Sequence, residues 1–299
     1  MELLDPKNDA VFKLMLVDDD AADARISLLS AILRPESPIT STTVKNPNMP
    51  KKHIRDKDTI LDILLELDDG RRIDLEMQMA WRSYIPERAY FYGGKLITSQ
   101  LSRGQKYQTL KPVSTIFLLN AIGFPDAPPD HAHYIFNMKE RANLTRIPPY
   151  FTMHFVEIPK LISKLGQDLR PPEDLPLLNW CKFLYNPNQP GLDEVIATMP
   201  ALKKAKKKLE EISANEEKRE IARMRERGRR DYESDLEDAL VRGRDEGKAE
   251  GEAKGKAEAK LEVLVALLAN PLAAKLPNEE IAKVCGLSVA EVEKMRAKS

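Results

Sequence analysis

Residues 60–79 read I-L-D-I-L-L-E-L-D-D-G-R-R-I-D-L-E-M-Q-M. Two β-forming runs, Thr59 to Leu67 and Arg71 to Met79, flank the polar triplet Asp68-Asp69-Gly70, the pattern of a β-hairpin. A three-residue hairpin loop is a type I turn closed by a left-handed residue, and Gly70 stands where that residue is needed. This loop makes Leu67 and Arg71 partners, and counting outward sets Asp62 opposite Glu76. Gln78, two residues beyond Glu76, shares that face. A two-residue Asp69-Gly70 turn would shift the register and send Asp62 and Glu76 to opposite faces.

Directly opposed carboxylates repel and weaken a sheet. The pair makes sense if a divalent cation lies between Asp62 and Glu76, because two carboxylates with water and a phosphate oxygen are a usual way to hold Mg²⁺. The plainer reading is a half-exposed hairpin with polar residues on its wet face. Against it, Asp62 stands within an apolar run of Leu61, Ile63, Leu64 and Leu65.

The chain has 299 residues, enough for one sizeable core with an appendage or for two domains. Its formal net charge is zero, so any electrostatic attraction to a polyanion must be local. Cys181 and Cys285 are far apart and form no ligand or redox motif, which fits a reducing compartment. The start, M-E-L-L-D-P-K-N-D, has neither a basic nor an apolar leader region, and no run approaches the roughly 18 apolar residues of a membrane span. A cytoplasmic location is expected.

Working outward from the hairpin, Asp5-Pro6 is expected to open a first helix, with Asp5 as its cap. A second helix is expected from Ala22 to Leu33, before Pro35, and a short strand over Ile39 to Lys45. After the hairpin, Glu87 to Ser102 is helical in pattern, with Gly104 as its terminating glycine and Gly93-Gly94 marking close packing on the sheet. Pro112 to Asn120 reads as a buried strand, Tyr134 to Met138 and Tyr150 to Ile158 as further strands, and Leu177 to Leu184 as a helix. The order is that of an α/β core with a mixed sheet. From Ala201 to Lys260 the composition turns to Lys, Arg, Glu and Ala, with Gly243, Gly247, Gly251 and Gly255 every four residues, where fraying of a helix is expected. Beyond Leu261, a helix starting at Pro277 or Asn278, a turn at Gly286, and Ser288 with Glu291 as a capping box give helix-turn-helix spacing, which a small helical cap explains equally well. The expected domains are residues 1–195 (the α/β core), 196–260 (a charged helical linker) and 261–299 (a small helical module).

Three stretches carry a resemblance: D-P-K-N-D-A-V-F-K at 5–13, the pair L-D-I and D-L-E-M-Q in the hairpin, and E-R-A-Y-F-Y-G-G-K-L-I-T-S-Q-L-S-R-G-Q-K-Y-Q-T-L-K-P-V at 87–113. With M-H-F-V-E-I-P-K-L at 153–161, L-N-W-C-K-F-L at 178–184 and the glycine-repeat tail, the chain resembles the Rpn recombination-promoting nucleases, or putative transposases, of the PD-(D/E)XK nuclease superfamily. The resemblance implies a restriction-endonuclease-like αβββαβ core with an α-helical C-terminal extension. It implies that Asp62 and Glu76 hold the metal, with Asp9 of the first helix as a further acid. Gln78 stands where the superfamily has lysine; it cannot supply a positive charge, but can hold a water or a phosphate oxygen.

The function this implies is a Mg²⁺-dependent DNA endonuclease, with Mn²⁺ as a substitute ion, linked to recombination or to defence against foreign DNA. Asp62, Glu76 and Gln78 are the expected catalytic residues. Arg88, Tyr92, Lys95 and Ser99 share one face of the following helix, so Arg88 and Lys95, with Gln100, are expected on the DNA. Surface charge alone is the other reading of that helix. His154 is expected to be a packing histidine. The competing function is a non-catalytic DNA-binding or interaction protein on a degenerate nuclease fold, which the missing lysine favours. A homo-oligomer through the C-terminal helical region is a further expectation.

Overall fold

A computed structural model describes residues 2–46, 63–142, 148–163 and 172–297. The hairpin forms as the turn chemistry requires. Strand β2 (Ile63–Leu67) pairs antiparallel with β3 (Arg72–Gln78), with Leu65 opposite Ile73 and Ile63 opposite Leu75. Gly70 has φ +84°, and its amide donates to the Leu67 carbonyl at 2.9 Å, closing the loop that makes Leu67 and Arg71 partners. Asp62 itself lies outside the described residues.

The described residues form a six-stranded sheet in the order β1-β2-β3-β4-β6-β5. Its strands are β1 (Thr42–Val44), the hairpin, β4 (Val113–Leu119), β5 (His133–Asn137) and β6 (Phe151–Glu157). The β3–β4 and β4–β6 pairs are parallel and the others antiparallel, so the sheet is mixed, as the pattern of elements predicted. Helix α3 (Ile85–Thr98) makes the crossover between the parallel strands β3 and β4.

Alternation along β3 divides the core. Ile73, Leu75 and Met77 enter the larger cluster with α1 (Asp9–Leu16), α2 (Ala22–Leu33) and α5 (Leu175–Tyr185). The opposite face meets α3: Ile85 and Ala89 pack there against Phe117, Leu119 and Phe155. Asp74, Glu76 and Gln78 belong to that second face, since Glu76 lies beside Phe117 and Gln78 beside Leu119 in the ladder. Gly93 brings the helix close: a Cβ there would stand 2.1 Å from the Phe151 ring. Gly94 faces open space, so only the first of the two glycines serves close packing.

Three boundaries differ from the sequence reading. Helix α1 starts at Asp9, because the Asn8 side chain, rather than that of Asp5, accepts the amides of Ala10 and Val11; Asp5 instead closes a turn onto the amide of Asn8. Helix α3 ends at Thr98, and Gly104, at φ +89°, belongs to the loop beyond it. After the short helices α4 (Ile158–Ile162) and α6 (Leu192–Thr198) comes α7 (Pro200–Ala214), which is lysine-rich yet core-forming. Its Leu202, Ala205, Leu209 and Ile212 are fully buried in the larger cluster. Full burial of each larger side chain contributes about 1.5–3 kcal/mol, while the lysines between them reach Asp23, Asp193, Asp18 and Asp20.

By contacts the chain divides into residues 1–228 and 229–299. Helix α8 (Glu216–Ala269) runs unbroken through all four repeat glycines, where fraying was expected. The Ala, Glu and Lys residues between those glycines are strong helix formers. In the second unit α9 (Asn278–Cys285) ends at Gly286, φ +64°, and α10 (Val289–Arg296) starts on the Ser288–Glu291 capping box. Leu264, Ile281, Ala282, Cys285 and Val292 make its small core.

Candidate active site

Strand period two places Asp74, Glu76 and Gln78 in a row on the α3 face. Asp74 is buried, and the Glu76 side chain is 1 % exposed. A buried carboxylate needs compensation, and two neighbours supply it. The Gln78 amide donates to Glu76 Oε2 at 2.7 Å. From α3, Arg88 donates Nε to Oε1 at 3.3 Å and sets Nη2 3.1 Å from Oε2. Arg88 reaches the strand because it lies one turn after Ile85 and beside Ala89, the two residues that anchor the helix to the sheet. Its guanidinium also lies over the Tyr92 ring, 5.2 Å from the centroid.

This arrangement brings Glu76, Gln78 and Arg88 together, with Arg88 acting on the carboxylate. Lys95 is exposed on the same stripe of α3. Ser99, near the end of that stripe, accepts from Arg72 at 3.5 Å. Gln100 is engaged elsewhere: its amide accepts from the Lys111 backbone N–H at 2.8 Å and donates to the Lys111 carbonyl at 3.0 Å, stapling the loop after α3. Asp9 pairs with Arg225 of α8 at 2.6 Å and accepts from the Ala10 amide. Among the described residues no three His, Cys, Asp or Glu side chains are grouped to share an ion.

His154 is a packing residue, as expected. It is 4 % exposed, its Nδ1 lies 3.1 Å from His133 Nε2, and burial pushes its pKa down to about 4. Two features escaped the sequence reading. One is Asp74, a second buried acid on the Glu76 face; the alternation in I-D-L-E-M-Q was its signal. The other is the Arg88–Glu76 pair, which depends on how α3 is phased against β3. A separate buried network, with Glu157 accepting the amides of Gly123 and Phe124 and pairing with Lys160 at 2.8 Å, fixes the loop after β4.

The chemistry of this face suits a hard cation, because its acidic donors are carboxylate oxygens. Residues 6–239 match the family described as PD-(D/E)XK nuclease family transposase. The chain belongs to that family. No curated protein and no solved structure matches it. The mixed sheet with flanking helices and a long C-terminal helix is the PD-(D/E)XK-like α/β fold with a helical extension. Family membership makes the protein nuclease-like, with DNA as the family's substrate and divalent metal ions as its usual cofactors. No described helix is long and apolar enough to cross a membrane.

Proposed function

We propose that this PD-(D/E)XK family member is a metal-dependent DNA endonuclease whose site centres on Glu76. The observation that carries the proposal is a nearly inaccessible carboxylate, at the position the resemblance assigns to a metal acid, held by a glutamine and an arginine. Asp62 and Glu76 would hold Mg²⁺, or Mn²⁺ in its place, with Asp74 behind them on β3 and Asp9 on α1 as a further candidate acid. When bound, such an ion polarises the phosphoryl oxygen and acidifies a water.

The chain's own groups do the positioning. Gln78 fixes the rotamer of Glu76 through the 2.7 Å bond, and its second N–H is a donor for a water or a phosphate oxygen. Arg88 balances Glu76 until an ion arrives, and its planar fork then suits a phosphate. Lys95 lies further along α3, where an ammonium contacts a DNA backbone as a point charge. Gln100 supports the interface through the loop it staples.

The biological setting we propose is recombination or defence against foreign DNA, in the cytoplasm, as an Rpn-type nuclease that self-associates through its C-terminal helices. The glutamine at 78 favours a second reading, a DNA-binding protein without cleavage. Plasmid incubated with Mg²⁺ or Mn²⁺ separates the two. Cleavage by the wild type, lost in Asp62→Asn and Glu76→Gln, supports the nuclease. Salt-dependent DNA binding without cleavage under either ion refutes it.

A further inference from the structure

The outer stripe of α3 carries two exposed rings, Tyr84 and Phe91, that the proposed site does not use. Tyr84, which caps α3, is followed by Arg88, Phe91 and Lys95 at spacings of four, three and four, the spacing of one helix face, aromatic and cationic in alternation. Arg88 of this stripe touches Glu76, so the stripe begins beside the site. The rings are not packed away: Tyr84 is 52 % and Phe91 68 % exposed. Beyond the helix, the loop stapled by Gln100 presents Tyr107, 80 % exposed, between Lys106 and Lys111.

The charge along this segment of the chain is strongly one-sided. Residues 82–111 contain Arg82, Arg88, Lys95, Arg103, Lys106 and Lys111 against a single carboxylate, Glu87, in a chain whose net charge is zero. This is the local polyanion footprint that the whole-chain balance lacks. A phosphate backbone satisfies the cations. The rings ask for something more, because the bases of a duplex are stacked on each other and offer no face to a side chain. Unpaired bases do, and stacking on exposed aromatics is how single strands are held without sequence readout. Tyr84 and Phe91 are seven residues apart, about 10 Å along the helix, a spacing that an extended strand can bridge.

Resting on the nuclease reading of the Glu76 face, we propose that the Tyr84–Phe91 stripe is a stacking platform for single-stranded DNA. The preferred substrate is then an unpaired or locally opened strand laid along α3, its backbone on Lys95, Arg103 and Lys106, passing beside Arg88.

The test measures binding by fluorescence anisotropy on the full chain in chelator, so cleavage does not enter and its failure cannot be mistaken for failure of this proposal. The probes are labelled poly-dT, the corresponding duplex and poly-rU. Poly-dT should bind about tenfold or more tighter than the duplex. Phe91→Leu and Tyr84→Leu, both at exposed sites, should each weaken poly-dT roughly fivefold or more while leaving duplex affinity nearly unchanged. Lys95→Gln should weaken both DNA probes and reduce the salt dependence by about one counterion. Equal affinity for single strand and duplex, or ring variants that bind poly-dT like wild type, overturns the proposal. So does tighter binding of poly-rU than poly-dT, or a dimer lost in Phe91→Leu with DNA affinity unchanged.

Discussion

Arg88 is the counter-charge of Glu76, so removing it isolates the property on which the site depends. In Arg88→Met the carboxylate keeps its 2.7 Å bond from Gln78 but loses contacts at 3.3 and 3.1 Å. Hydrogen bonds to a charged group contribute about 1.5–3 kcal/mol each. The Arg88 side chain is 33 % exposed, so solvent screens the pair and the sum must be discounted. A loss of about 2 kcal/mol is expected, which for a unit of this size lowers the melting temperature by about 4–8 °C. An ion that takes over the role of Arg88 should reverse this. In wild type the ion must displace the arginine, whereas in the variant it need not. Mn²⁺ should therefore stabilise Arg88→Met at concentrations about 30-fold lower, since about 1.4 kcal/mol is a factor of ten. Thermal melts across a Mn²⁺ titration measure both quantities, and Glu76→Gln should lose the ion response altogether. A variant as stable as wild type without metal, or one with an identical Mn²⁺ midpoint, refutes the reasoning.

Other perturbations probe the scaffold. Gly93→Ala places a Cβ 2.1 Å from Phe151 and should cost about 1–3 kcal/mol, whereas Gly94→Ala meets nothing and should gain about 0.5–1 kcal/mol; urea denaturation distinguishes them. His154 holds its pKa near 4, below the unfolded value of 6.5, so its contribution is fully present above pH 6.5 and is lost as pH falls towards 4. About 3 kcal/mol should disappear over that window, and the slope should flatten in His154→Gln, as read by denaturation against pH. Ser288→Ala removes the capping box of α10 and should cost about 1 kcal/mol, seen as faster hydrogen exchange at the Glu291 amide.

Where local chemistry decides the outcome, the sequence was legible. The Asp68-Asp69-Gly70 triplet fits a three-residue loop with Gly70 in the left-handed position, and the pairing of Leu67 with Arg71 and the ladder back to Ile63–Leu75 agree with that turn rather than with the two-residue alternative. The end of α2 before Pro35 and the Ser288 cap are similar cases. Where tertiary phasing decides, it was not. Nothing in E-R-A-Y-F-Y shows that Arg88 points at Glu76 while Lys95 faces solvent, because this depends on how α3 sits over β3 and β4. Composition also concealed a core helix: the lysines of K-K-A-K-K-K obscured the apolar stripe from Leu202 to Ile212. The ion pair of Asp9 with Arg225 was equally hidden, because the two lie more than two hundred residues apart in the chain.

The most direct test of the central claim is anomalous scattering from crystals soaked in Mn²⁺. One strong peak is expected within bonding distance of the Glu76 carboxylate, shared with Asp62, with Arg88 moved off that carboxylate. A peak elsewhere, or no peak at saturating Mn²⁺ with Arg88 still seated on Glu76, would contradict it.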